Sequence, residues 1–194
     1  MDALFDINYK VSVSLKSEEN EELIMDRDNP VLKAIHTRRS IRRYTGEPIA
    51  GETLRQIIEA GFYAPSAMNR RPVHFVQITD RALMQQLSEL HPYAKMLPQA
   101  DCAVMVCGDY GVSGEFYMDD CAAATQNILL AAHALGVGAV WCGVDHTDRQ
   151  QSFGALLQLP ENIRAYSLIV LGMPAEEKEE LDRVEPAKLH QNRW

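Results

Sequence analysis

The stretch from Glu115 to Leu135 constrains this chain more than any other. Cys121, Ala124, Ile128, Ala131 and Leu135 recur at helical spacing, and the alanines around them combine high helix propensity with little bulk. A helix this apolar must be covered by neighbours, so the rest of the chain has to build a core around it. With 194 residues, the chain is of a size that buries on the order of 70% of its unfolded surface, without disulfides or a structural metal. Gly136 is the expected C-terminal stop.

The segments around this helix alternate in character. Asn29-Pro30 reads as the cap and first turn of a short helix carrying Val31, Leu32 and Ile35. Leu54, Ile57, Ile58, Gly61 and Phe62 fall on one face of a three-turn helix, which Ala64-Pro65-Ser66 stops. Val73 to Thr79 reads as a strand, followed by a helix capped by Thr79 or Asp80 and running to about Leu90. The apolar run Cys102 to Cys107 predicts a strand buried on both faces. Val137 to Val144 reads as a strand or tight connection, Thr147 to Leu157 as a short helix and Tyr166 to Leu171 as a strand, with a charged tail from Ala175 to Trp194. Residues 1–28 carry an acidic run and read as a solvated arm before one domain, 29–194.

The formal net charge of −8 repels polyanions, so nucleic acid is a poor partner. The longest apolar stretches fall well short of the roughly 20 residues that span a bilayer. The start of the chain lacks the basic-then-apolar order of a signal peptide, so the expected location is cytoplasmic. Cys102, Cys107, Cys121 and Cys142 show no C-x-x-C and no paired Cys/His spacing, so free thiols and no metal site are expected.

One segment reverses the charge. From Asn29 to Gly46 stand Lys33, Arg38, Arg39, Arg42 and Arg43, with no acid. Ser40 sits among the arginines, so guanidinium forks and a hydroxyl converge as a phosphate monoester requires. The alternative is a solvated basic face, or arginines paired with acids elsewhere. Other signatures fail. Gly136-Val137-Gly138 reaches Trp141 where the dinucleotide fingerprint needs glycine, and it follows a helix rather than a strand. Gly111 to Glu115 is not a nucleophile elbow. His133, inside the apolar helix, reads as a satisfied core or interface residue.

Four motifs in order resemble the FMN-dependent nitroreductase family. They are Arg38-Arg39-Ser40-Ile41-Arg42 with Tyr44; Ala64-Pro65-Ser66-Ala67-Met68-Asn69-Arg70-Arg71-Pro72; Leu135 to Gly143; and Leu171 to Glu177 with Asp182-Arg183. The resemblance covers about residues 29 to 194. It implies an α+β sandwich, a central mixed or antiparallel sheet flanked by helices, in an intertwined homodimer with two FMN sites at the interface. It also implies NADH or NADPH as donor and a small-molecule acceptor such as a nitroaromatic, quinone or free flavin, served in ping-pong order.

Carried over by position, Arg38, Arg39 and Ser40 would hold the phosphate and ribityl chain, and Arg42 would lie near the flavin N1 and C2 carbonyl. Pro65, Ser66, Ala67, Met68 and Asn69 would reach the flavin across the dimer, with Asn69 at the ring edge. Trp141, Cys142, Gly143 and Val144 would lie against the ring and offer a backbone N–H to N5 or O4, and Arg183 would add a second phosphate contact. No side-chain acid or base is required, so no catalytic residue is expected. The chain departs from the family pattern at Arg71, where glutamine is usual, and at Cys142, where some members have an acid. Cys142 is then either a packing residue or a redox group. Two other functions stay open: a specialised flavin reaction such as dehalogenation, dehydrogenation or flavin cleavage, and a noncatalytic nucleotide-binding protein.

Overall fold

A computed structural model describes residues 29–145 and 148–194. Four strands form one sheet: β1 (Val73–Ile78), β2 (Cys102–Asp109), β3 (Gly138–Gly143) and β4 (Ile163–Gly172). Their order is β1-β2-β4-β3, and all three pairings are antiparallel. The central strands are covered on both sides, which is why Cys102 to Cys107 is an unbroken apolar run. Ala103, Met105 and Cys107 join Leu168 and Val170 in one core, while Cys102, Val104 and Val106 join Ile169 and Leu171 in the other. The alternation is that of a pleated strand with helices on both faces.

On the second face lie α2 (Gly51–Phe62) and α5 (Tyr117–Ala134), which contribute Leu54, Ile57, Cys121 and Ile128. On the first lie α3 (Arg81–Leu90) and α6 (Arg149–Leu156), which contribute Met84, Leu87 and Phe153. The result is the α+β sandwich that was expected. Asp80, not Thr79, caps α3 by accepting from the Leu83 N–H at 2.8 Å.

The central helix differs from its expected form at both ends. It starts at Tyr117, because α4 (Tyr110–Ser113) and a 3-10 turn over Gly114–Phe116 precede it, with Gly114 at φ +55°. At the other end Leu135, placed on the buried face by spacing, lies past the last turn and is exposed, and Ala131 is half-buried. Thr125, Leu129 and Ala132 are buried in addition. The Thr125 hydroxyl lies 2.7 Å from the Cys121 carbonyl and 2.8 Å from Ser167 Oγ, so a buried polar pair joins helix to β4. Gly136 ends the helical region at φ +76°.

α1 (Pro30–Thr37) is capped as expected by Asn29, whose side chain accepts from the Val31 and Leu32 N–H groups. Its apolar stripe, however, is exposed in the single chain: Val31 62%, Leu32 38%, Ile35 47%. Phe62 on α2 is likewise exposed. β4 begins at Ile163, three residues before the expected Tyr166. The expected arm, 1–28, and Thr147 lie outside the described residues. Among the described residues no helix is long and apolar enough to cross a membrane.

Candidate functional site

The basic segment is built into the edge of the sheet. Beyond β3, Ser40 pairs with Ala139 as a parallel bridge, and the Ile41 N–H donates to the Ala139 carbonyl at 3.0 Å. Further along, the Thr45 N–H donates to Met173 O, and the Ala175 N–H donates to Arg43 O, both at 2.9 Å. Two glycines admit this close approach. A Cβ on Gly138 would stand 2.8 Å from the Ile41 side chain, and one on Gly172 would stand 2.7 Å from the Tyr44 ring. The Tyr44 hydroxyl donates back to Ile41 O at 2.8 Å. Gly138 and Gly172 therefore make room for the chain's own basic strap.

Arg38 and Arg39 line a cleft of about 370 Å³ beside the C-terminal end of α5. Arg39 is held by three carbonyls: Nε donates to Glu179 O at 2.9 Å, and Nη1 donates to His36 O and Arg38 O at 2.8 Å. Its Nη2 is buried and has no acceptor. Burial, with Arg183 and Arg39 close by, pulls the Arg38 guanidinium below its ordinary pKa. The arginine expected from the tail is thus beside the two from the strap. Among the described residues no carboxylate pairs with the side chains of Arg38, Arg39, Arg42 or Arg183. Glu176 accepts instead from the Arg42 backbone N–H at 2.6 Å, and its ion pair is with Lys178. Among the described residues, then, the basic segment's arginine side chains stand outside any ion pair.

His133 closes the same cleft. The Thr37 hydroxyl has one proton and donates it to Lys33 O at 2.7 Å, so at the 2.7 Å contact His133 Nε2 must be the donor. Burial and the charges of Arg38 and Arg39 hold the imidazole pKa below its usual value. This is the satisfied histidine that was expected.

Arg42 faces a different cleft, together with Trp141, Cys142 and Gly143. Trp141 is half-buried against Tyr166. Cys142 is buried, and burial pushes its thiol up to about 11, partly opposed by Arg42. A thiol that stays protonated at neutral pH fits the packing reading. Gly143 is exposed, and a Cβ there would meet nothing within 4 Å. Val144 departs from expectation. Its side chain is fully buried and its N–H donates to Tyr166 O at 3.0 Å, because the chain has already turned back onto β4. Gly143 is the last exposed backbone of that segment.

The Pro65–Asn69 loop is an open, strained turn. Met68, Asn69 and Arg71 have φ of 52°, 53° and 51°, in the left-handed region, a costly arrangement for residues with side chains. Buried Asp120, in the first turn of α5, accepts from the Ala67 N–H at 2.8 Å and from Ser113 Oγ at 3.2 Å. Ser66 Oγ accepts from the Arg71 N–H at 3.0 Å, and Asn69 Oδ1 accepts from Arg71 Nε at 3.1 Å. Arg71, the departure from the family pattern, thus braces the loop.

These contacts keep the two halves of the expected site apart in one chain. The strap meets α5 at His133 and the loop meets it at Asp120. Thirteen residues of helix separate those points, about 20 Å at 1.5 Å per residue. Asp120 and His91 were not legible as site residues, and Tyr44, though part of the first motif, was not legible as the anchor of the strap. Asp120 looks like any acidic first-turn residue, and nothing near Tyr44 or His91 in sequence announces their partners.

Known proteins resemble this chain in sequence and in fold. The family model described as the nitroreductase family matches residues 35–100 and 92–173. A protein of Archaeoglobus fulgidus provisionally named an NADH dehydrogenase/NAD(P)H nitroreductase is 42% identical over 170 residues, covering 84% of this chain and 98% of its own. A Parabacteroides distasonis structure with the same provisional name superposes with a TM-score of 0.84 at 36% identity, covering 86% of this chain and 99% of the other. A provisionally named nitroreductase from Desulfovibrio desulfuricans, solved in complex with FMN, gives 0.74 at 34% identity, covering 86% and 98%. The chain belongs to the nitroreductase family.

Proposed function

We propose that the protein is an FMN-dependent oxidoreductase of the nitroreductase type, taking electrons from NADH or NADPH and delivering them to nitroaromatic, quinone or related acceptors in ping-pong order. The observation that carries this reading is the buried, acceptorless Nη2 of Arg39 beside Arg38 and Arg183. Glu176 and Glu177 also line the cleft of Arg38 and Arg39, but neither is ion-paired with these arginines among the described residues, so an anion with several oxygens would offset the gathered charge, and a phosphate monoester supplies them. The FMN complex of the Desulfovibrio relative supports the same cofactor here.

When bound, FMN supplies the two-electron chemistry, accepting hydride and passing it on. The residues of this chain bind and tune it. Arg38, Arg39, Ser40 and Arg183 would hold the phosphate and ribityl chain. Arg42 would place a fixed cation where negative charge gathers on reduction, which favours the reduced form. Trp141, Cys142 and Gly143 would line the ring, with the exposed backbone of Gly143 as its polar contact.

The loop from Pro65 to Asn69 would come from a second copy of the chain. The 20 Å separation along α5 supports this, as does the exposed stripe of Val31, Leu32 and Ile35 on α1. The protein would therefore work as a homodimer of domains spanning 29–194, with an FMN site at each interface.

The test is the visible spectrum of the purified protein, recorded before and after anaerobic addition of NADH and then NADPH. A flavin band that bleaches with either donor is the expected result. No band, with no binding of added FMN, would overturn the reading.

A further inference from the structure

The cleft of about 760 Å³ that opens beside Gly143 carries more positive charge than the cofactor accounts for. Arg42, Lys95 and Arg149 all line it, and among the described residues no carboxylate does. The phosphate-binding arginines line the other cleft, so Lys95 and Arg149 have no part in holding FMN by the reading above. Lys95 Nζ donates to the Ser88 carbonyl at 3.0 Å, a neutral partner that leaves its charge uncompensated. Arg149 has a buried Nε with no acceptor. Neither is in an ion pair among the described residues.

His91 sits between these cations and the backbone of β3 and adds no charge. The Tyr93 N–H donates to its Nδ1 at 3.1 Å, so the proton is on Nε2, which donates to Gly143 O at 2.8 Å. Burial, then Arg149 and Lys95, hold its pKa below the usual value, which places both cations near it. The walls are completed by the aromatic faces of Tyr93 and Trp141.

We infer that this cleft is an anion subsite for the substrate that meets the flavin, so that preferred substrates are planar and carry a carboxylate or phosphate held by Lys95 and Arg149. The inference rests on the flavin reading. A planar body suits the aromatic walls, and an anionic substituent gives Arg149 Nε the acceptor it lacks. In a chain of net charge −8, two such cations select for charge where the rest of the surface repels it.

The experiment uses the FMN-loaded protein and two pairs of probes matched in shape. 4-Nitrobenzoate is compared with 4-nitrobenzamide by calorimetric binding and by kcat/KM. Reduced nicotinamide mononucleotide is compared with reduced nicotinamide riboside, which lacks the phosphate. The expected result is a preference of about tenfold or more for the anionic member of at least one pair, falling to about twofold in Lys95→Gln/Arg149→Gln. Arg149→Lys should keep part of the preference. The pair that responds identifies the acceptor or the donor as the anion's carrier.

Equal handling of charged and neutral members of both pairs, or a preference that survives the double substitution, would overturn the subsite. Should the double variant fail to fold, Lys95→Gln alone must lower the same ratio. A protein that takes up no FMN would instead sink the functional reading, and 4-nitrobenzoate calorimetry on that flavin-free protein would still decide the subsite.

Discussion

The two halves of the proposed flavin site are held in opposite ways. The strap from Arg38 to Thr45 is tied along the sheet by backbone hydrogen bonds to Ala139 and Met173, and seated on Gly138 and Gly172. The loop from Pro65 to Arg71 has no sheet to lean on. Three left-handed residues are kept in place by one buried carboxylate and two polar contacts within the loop. A strap that gathers unpaired cations needs rigidity, because guanidiniums can be kept close only if their backbone cannot spread. A loop proposed to reach toward another chain needs projection, and the three left-handed residues hold it in an open turn.

The largest effect expected from breaking this contrast is on the rigid half. Arg38→Ala with Arg39→Ala removes charged hydrogen bonds worth roughly 1.5 to 3 kcal/mol each, so with one bond lost per arginine FMN should bind about a hundredfold to ten-thousandfold more weakly. Flavin titration of the apoprotein measures it, and unchanged affinity would remove the phosphate assignment.

A second experiment asks whether the halves meet within a chain or between chains. The strap variant is mixed, after unfolding and refolding, with a loop variant, Asp120→Ala. If the site is shared, half the dimers are mixed and each has one site free of both defects, so about one site in four should regain FMN. Recovery of none would mean that strap and loop serve the same chain's site.

A smaller effect sharpens the description of the rigid half. His91 accepts from the Tyr93 N–H only while neutral, and its folded pKa is lowered. The unfolded chain then binds more protons over the window from the ordinary value near 6.5 down to the folded value, so stability should fall as pH drops through that window. Urea unfolding at a series of pH values checks the slope, and His91→Gln should flatten it.

The smallest effect belongs to the loop. Met68→Gly relieves a left-handed residue at some cost in chain entropy and should stabilise the fold by about 0.5 to 1 kcal/mol. A loss of stability would mean that the exposed Met68 side chain is packed in the assembled protein.

Much of the fold was legible in the sequence, for reasons that are local. β2 reads as a doubly covered strand because every residue from Cys102 to Cys107 is apolar, and the ends of α3 and α5 follow from Asp80 and Gly136. Leu135 misled because spacing reports which residues share a face, not whether anything covers that face; the stripe on α1 was legible as a stripe but not as exposed. The candidate site divides along the same line. Arg38, Arg39, Ser40 and Arg42 stand together as a run of like charge, visible in one dimension. Asp120 under the loop, His91 behind Gly143 and Val144 turned into the sheet were invisible, because each depends on a partner dozens of residues away.

What the sequence determined by itself is the elements and the kind of charge at the site, since these rest on periodicity and residue type over short spans, and the family, through the resemblance of four motifs. What tertiary structure decided is which charges are left unpaired. An arginine in the sequence is equally able to find a carboxylate or a phosphate. Burial of Arg39 with no ion pair among the described residues, and the roughly 20 Å of helix between strap and loop, are outcomes of packing that no local pattern encodes.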